Sequence, residues 1–173
     1  YNVVIDERPA GSGHQLGIKE LFRIVKNLLR AIKGLHCDVF VIYDNIKCTK
    51  KGWINRNRLL LNDKDEYFTI PLKSGSDQLT IVQRELSSSF TEDGSKTLRK
   101  IAQSYKKAPY FGDVFPIAEQ IFSSKEANLF TFLYNSLLLT TNYLEIDTKI
   151  VVSSTLNIDH SLKSQDKVIA LCK

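Results

Sequence analysis

The sequence predicts an α/β domain: a mixed β-sheet flanked by helices, with the C-terminal half mainly helical. Three observations predict it. Short β-rich apolar runs such as DVFVIYD (38–44) and KIVVSS (149–154) have the character of strands buried in a sheet. Beyond Phe90 the apolar residues step at helical intervals instead. The 173 residues, 43% apolar and including nine Phe, suffice to fill one sizeable core, so residues 1–173 are expected to form a single domain.

The elements follow in order. VVI at 3–5 is a short buried-strand pattern, followed by the breaker-rich loop DERPAGSGHQLG. From 18 to 35, Leu21, Val25, Leu28, Ile32 and Leu35 lie on one helical face, while Lys19, Arg23, Lys26, Arg30 and Lys33 repeat the same steps on another; Gly34 is the stop signal. DVFVIYD is a central strand that delivers Tyr43 and Asp44 at its end. RLLL (58–61) and YFTIPL (67–72) read as two strands around the turn NDKDE, with Pro71 favouring a strand end, and LTIV (79–82) as a further strand. Leu98, Ile101, Tyr105 and Ala108 mark a helix capped by Asp93 or Ser95 and stopped before Pro109. Helices are also expected over 113–122 and 128–143, and Ser164 caps a last one, QDKVIALCK. The absence of Met, the start at Tyr1 and a helical pattern still running at Lys173 lead to the expectation of a truncated or processed chain.

Charge is localised. The net charge is +5, yet 45–62 contributes +5 and 18–35 contributes +4, so the remainder is net acidic. Local basic segments of this kind attract anionic partners. The odd count of three Cys, with no CxxC, points to free thiols in a reducing compartment. No apolar run approaches the roughly 20 residues of a spanning helix, and the first residues lack the order of a signal peptide. A soluble, cytoplasmic protein without a transmembrane segment is therefore expected.

Several features invite chemistry. Gly11, Gly13 and Gly17 open a helix after a strand, as phosphate loops do, but match neither a dinucleotide fingerprint nor a P-loop. His36 and Cys37 are adjacent and would point to opposite faces of a strand. His160, after Asp159, is an acid–base candidate with no partner in the sequence, and equally a structural residue. No spacing supplies a zinc site.

The densest stretch is KCTKKGWINRNRLLLN (47–62). Trp53 offers a stacking face, Asn55 and Asn57 amide donors and acceptors, and Arg56 and Arg58 forks that match phosphate. If this stretch is extended, alternation sends Trp53, Asn55 and Asn57 to one side and Ile54, Arg56 and Arg58 to the other. A single aromatic is fewer than nucleic-acid stacking platforms usually offer, so nucleic acid is not the expected partner.

In order, DVFVIYDNIK, KKGWINRNR with its apolar tail, YFTIPLK, YKKAPYF and the late IVVSS make residues from about 38 to 173 resemble the WbqC-like proteins of bacterial O-antigen and other surface-polysaccharide loci. Residues 1–36 depart from the family's usual opening, and members continue past the present end with a Gly-rich, Tyr-containing segment. The resemblance implies an enzyme-like role on an activated amino sugar, with acyl or aminoacyl transfer to the sugar amine as the expected reaction. On matching positions it places Asp44, Lys51, Trp53, Asn55, Arg56 and Asn57 in the site, with Tyr105, Lys106, Tyr110 and Phe111 as a second element. Asp44 and Lys51 are the expected catalytic residues, Asp44 as a base or as the group that orients Lys51 or Arg56. Trp53 would stack and Arg56 would hold a phosphate or carboxylate. No cofactor is expected, and the partner is a small-molecule sugar nucleotide or acyl donor. The competing reading is a non-catalytic module that binds nucleic acid or an anionic surface through the two basic segments.

Overall fold

A computed structural model of the chain describes residues 39–49, 52–61, 64–162 and 164–172. The strand expected at 3–5, the glycine loop, the basic helix at 18–35, His36, Cys37 and Lys51 lie outside the described residues. Within them, the central apolar run becomes β1 (Val39–Ile42) and the late IVV run becomes β4 (Lys149–Val152). They pair in parallel, Val39 opposite Lys149 through Ile42 opposite Val152. Parallel pairing requires a long crossover, and here it contains almost everything else.

The hairpin is longer and tighter than its sequence suggests. β2 (Arg56–Leu61) and β3 (Lys64–Thr69) run antiparallel with Leu61 opposite Lys64, so Lys64, Asp65 and Glu66 of the expected turn are strand residues. Charge pairing supports that register: Asp65 Oδ2 accepts from Arg58 Nη1 at 2.8 Å, and Glu66 pairs with Lys100 at 3.0 Å. Ile70 N–H still donates to Asn55 O at 2.7 Å, but Pro71 has no N–H to extend the ladder. The chain then changes partner, with Leu72 bridging Leu86. Parallel and antiparallel pairing thus both occur, as two separate two-stranded ladders among the described residues, and the domain is α/β.

LTIV does not form the expected strand. Thr80 makes an isolated bridge to Lys47, and Ile81–Gln83 is a 3₁₀ turn. The cause is local: Gln83 Oε1 accepts from both Thr80 N–H and Thr80 Oγ1 at 3.0 Å, which curls the chain back on itself.

Four helices follow among the described residues: α1 (Phe90–Tyr105), α2 (Phe111–Phe122), α3 (Leu129–Tyr143) and α4 (Ser164–Cys172). α1 begins earlier than the expected caps because Phe90 is buried and anchors the first turn in the core. Asp93 lies in that turn, and Ser95 bonds back to Thr91 O at 2.8 Å from within the helix. Gly94 allows the close contact of α1 and α2, since a Cβ there would come within 3.2 Å of Phe122 O. The core gathers Cys48, Ile70, Ile81, Leu86, Phe90, Leu129 and Phe132.

Asn128 is the joint between helices and strands. Its Oδ1 caps α3 by accepting from Thr131 N–H at 3.1 Å, while its Nδ2 donates to Val82 O at 2.7 Å. Val82 N–H in turn donates to Asp44 O at 3.1 Å, so α3 is tied to the end of β1 through one residue. Asn128→Ala is expected to cost about 2 kcal/mol and lower Tm by about 4–8 °C in thermal unfolding. A shift under about 1 °C would show that the joint carries no stability.

Candidate active site at the ends of the parallel strands

Parallel strands end on the same side, and in α/β folds ligands bind outside those carboxyl ends. β1 delivers Asp44 and Asn45 there, and β4 delivers Ser153 and Ser154. Asp44 is 2% exposed and Ser153 is fully buried. Asp44 Oδ1 accepts from Ser153 Oγ and from Ser154 N–H, both at 3.0 Å. Burial pushes the Asp44 carboxyl upward, but the bonds from Ser154 and Ser153 together outweigh it and hold it below the ordinary 3.8. Asp44 is therefore a buried, ionised carboxylate.

Asn45 extends the network. Its Oδ1 accepts from Lys167 Nζ at 3.1 Å and lies 3.2 Å from Ser153 Oγ, whose single proton goes to the nearer Asp44 carboxylate; the Lys167 bond fixes the amide so that Nδ2 faces His160 Nδ1 at 3.2 Å. An amide nitrogen only donates, so His160 Nδ1 accepts. The ring proton then sits on Nε2 and is given to Leu156 O at 3.1 Å. Both ring nitrogens are occupied, so His160 ties Asn45 to Leu156 as a structural partner. Lys167 is 8% exposed and also lies over the Tyr43 ring, 5.4 Å from its centroid. A buried carboxylate and a buried ammonium thus stand in one cluster, Asp44 bonded to Ser153 and Ser154 and Lys167 to Asn45.

The WINRNR stretch builds a second surface. Residues 52–55 are bends rather than strand, so the alternation expected to begin at Trp53 starts only at Arg56. Trp53 consequently shares a side with Arg56 and Arg58, not with Asn55 and Asn57. Trp53 and Tyr67 stand 6.0 Å apart, tilted by 32°. Arg56 Cζ lies 5.3 and 5.0 Å from the two ring centroids, and Arg58 Cζ lies 5.2 and 4.6 Å from them. Arg58 is further held by Asp65 and by the Tyr67 hydroxyl. The two amides face elsewhere: Asn55 Nδ2 donates to Ile70 O at 2.9 Å, and Asn57 is buried with its Oδ1 on Arg58 N–H at 2.8 Å.

Of the expected second element, Tyr105 reaches the hairpin, where its hydroxyl accepts from Leu60 N–H at 2.8 Å. Burial pushes the Tyr105 hydroxyl pKa up, and the Leu60 bond partly offsets this. Lys106 is exposed, and Phe111 stacks on Phe115 at 4.8 Å rather than on the hairpin. Tyr110 is 74% exposed with φ 61°, a left-handed backbone that strains a residue with a side chain.

The structure therefore unites Trp53 with Arg56 and docks Tyr105 on the same hairpin at Leu60. Asp44 belongs to a different cluster, and its bonded partners are Ser153 and Ser154 rather than Arg56. Asn45, Ser153, Ser154, Lys167, Arg58 and Tyr67 were not expected at a site. A signal existed for some of them. Asn45 and the two serines directly follow apolar strand runs, and Lys167 shares the inward helix face with Leu171. Among the described residues no group of three or more His, Cys, Asp and Glu could hold a metal ion, and no helix is long and apolar enough to cross a membrane.

Comparison with known proteins matches residues 32–173 to the model of the WbqC-like protein family. No curated protein and no solved structure matches the chain.

Proposed function

This chain belongs to the WbqC-like protein family, and on that footing we propose that it acts in bacterial surface-polysaccharide biosynthesis, transferring an acyl or aminoacyl group to the amine of an activated sugar. The observation that carries the reading is the buried, ionised Asp44 at the ends of β1 and β4, held by Ser153 and Ser154, with the adjacent Asn45 held by Lys167. A carboxylate held below its ordinary range is a weak base, which favours an electrostatic role over proton abstraction. In the proposed step the sugar nitrogen bonds to the acyl carbon and the bond to the donor's leaving group breaks. The amine proton departs with that group, and Asp44 stabilises the transient cationic nitrogen. Lys51 is assigned the acyl oxygen. Trp53 and Arg56 receive the nucleotide end of the sugar donor, one by stacking and one by charge, and Tyr105, Lys106, Tyr110 and Phe111 are assigned as the second element of the site.

The chain should be screened by thermal shift against nucleotide sugars and acyl donors, beside Arg56→Ala. At saturating ligand a nucleotide sugar is expected to raise Tm by about 5 °C, and Arg56→Ala to remove most of that rise. If no sugar nucleotide stabilises the chain while oligonucleotides do, with a salt slope of roughly −0.9 per phosphate, the enzyme reading is lost to the binding module.

A further inference from the structure

The outward face of the hairpin is layered. Trp53 and Tyr67 are 40% and 50% exposed, whereas the Arg58 side chain is 16% exposed and the Nε atoms of Arg56 and Arg58 are out of reach of water. Each guanidinium carbon lies within 5.3 Å of both ring centroids, inside the range at which a cation is drawn to an aromatic face. The charges therefore form the inner layer and the rings the outer one.

The outer layer is also held in place. Arg58 stands directly opposite Tyr67 in the β2–β3 ladder. Asp65 Oδ2 accepts from Arg58 Nη1 at 2.8 Å, and Arg58 Nη2 donates to the Tyr67 hydroxyl, so the Tyr67 ring is fixed at its far end as well as at its backbone. Trp53 meets it at a tilt of only 32°, and the two rings make one shallow aromatic surface. A surface ordered beforehand spares a ligand the entropy of arranging it. Aromatic area left in water with a polar surround marks a binding site more often than a packing defect.

The layering also selects a class of ligand. A guanidinium beneath a ring draws on its negative π-face, so the outer side is a poorer seat for the weakly positive C–H groups of a saccharide or for a second cation. The π-face of a nucleobase remains well suited to it. We propose that Tyr67 is a second stacking residue of the nucleotide site: with Trp53 it seats the nucleobase of the sugar donor, while Arg58 and Asp65 position its ring. This assignment rests on the nucleotide reading of Trp53 and Arg56 and adds a base-contacting residue to it.

The test is calorimetric titration of uridine diphosphate and guanosine diphosphate into the wild type, Tyr67→Phe and Tyr67→Leu. The fluorescence of Trp53, the only Trp of the chain, is read in parallel. Nucleotide is expected to bind the wild type and to change Trp53 emission. Tyr67→Leu should raise Kd about 10-fold, and Tyr67→Phe, which keeps the ring, should stay within about threefold of the wild type. Without ligand, Tyr67→Leu should melt within about 2 °C of the wild type, because a half-exposed ring carries little of the fold. Nucleotide binding that Tyr67→Leu retains, or that leaves Trp53 emission unchanged, overturns this assignment alone. So does a Tyr67→Phe chain as weak as Tyr67→Leu, since the hydroxyl and not the ring would then matter. A Tyr67→Leu chain that is unfolded, or melts more than about 5 °C lower, also overturns it by giving the ring to the fold. If neither nucleotide binds the wild type, the assignment falls together with the nucleotide reading on which it rests.

Discussion

Asp44→Ala is expected to destabilise the chain by about 3 kcal/mol and to lower Tm by about 6–12 °C. The substitution strips the acceptor from Ser153 Oγ and Ser154 N–H at a place where Ser153 has no access to water. Asp44→Asn keeps one carbonyl acceptor and should cost about half as much. The acid limb of the stability curve separates charge from shape. The folded carboxyl titrates below its ordinary 3.8, so its contribution is fully present above that pH and is lost as pH falls through the lower folded value. Chemical denaturation from about pH 5 to about pH 2 should therefore show the wild type losing more stability than Asp44→Asn. Parallel acid limbs for the two would mean that the ionised form contributes nothing.

Phe132→Ala should cost about 4 kcal/mol, which for a urea slope of about 2 kcal/mol/M moves the midpoint by about 2 M. Phe132 is buried on α3 and meets Phe90 of α1 edge to face at 5.0 Å and 75°. Truncation removes both the area and the ring pair, and Leu129 and Leu86 beside it in the core cannot collapse into the gap without moving the joint at Asn128. Since that joint leads through Val82 to the Asp44 backbone, ligand-induced stabilisation should weaken together with the fold. A loss below about 1 kcal/mol would show that the core repacks around the missing ring.

What was readable in the sequence is what nearest neighbours decide. FVI and IVV become strands because β-branched and aromatic runs favour extended backbone, and the two pair in register. Helical steps after Phe90 placed α2 and α3 to within a turn and α1 to within two. The departures arose where one side chain overrode the local pattern. Gln83 curled LTIV into a turn, Phe90 drew α1 back towards the core, and the bends at 52–55 put Trp53 beside the arginines instead of the asparagines.

By itself the sequence determined the α/β class, most of its elements, the family through KKGWINRNR and YKKAPYF, and the pairing of Trp53 and Arg56 in one stretch. Only the tertiary structure decided that Asp44 answers to Ser153 and Ser154 and Asn45 to Lys167. The reason is physical. Hydrophobic periodicity is a local property of the chain, whereas a buried charge is defined by whatever the crossover brings to it, and here the partners of Asp44 and Asn45 lie more than a hundred residues away.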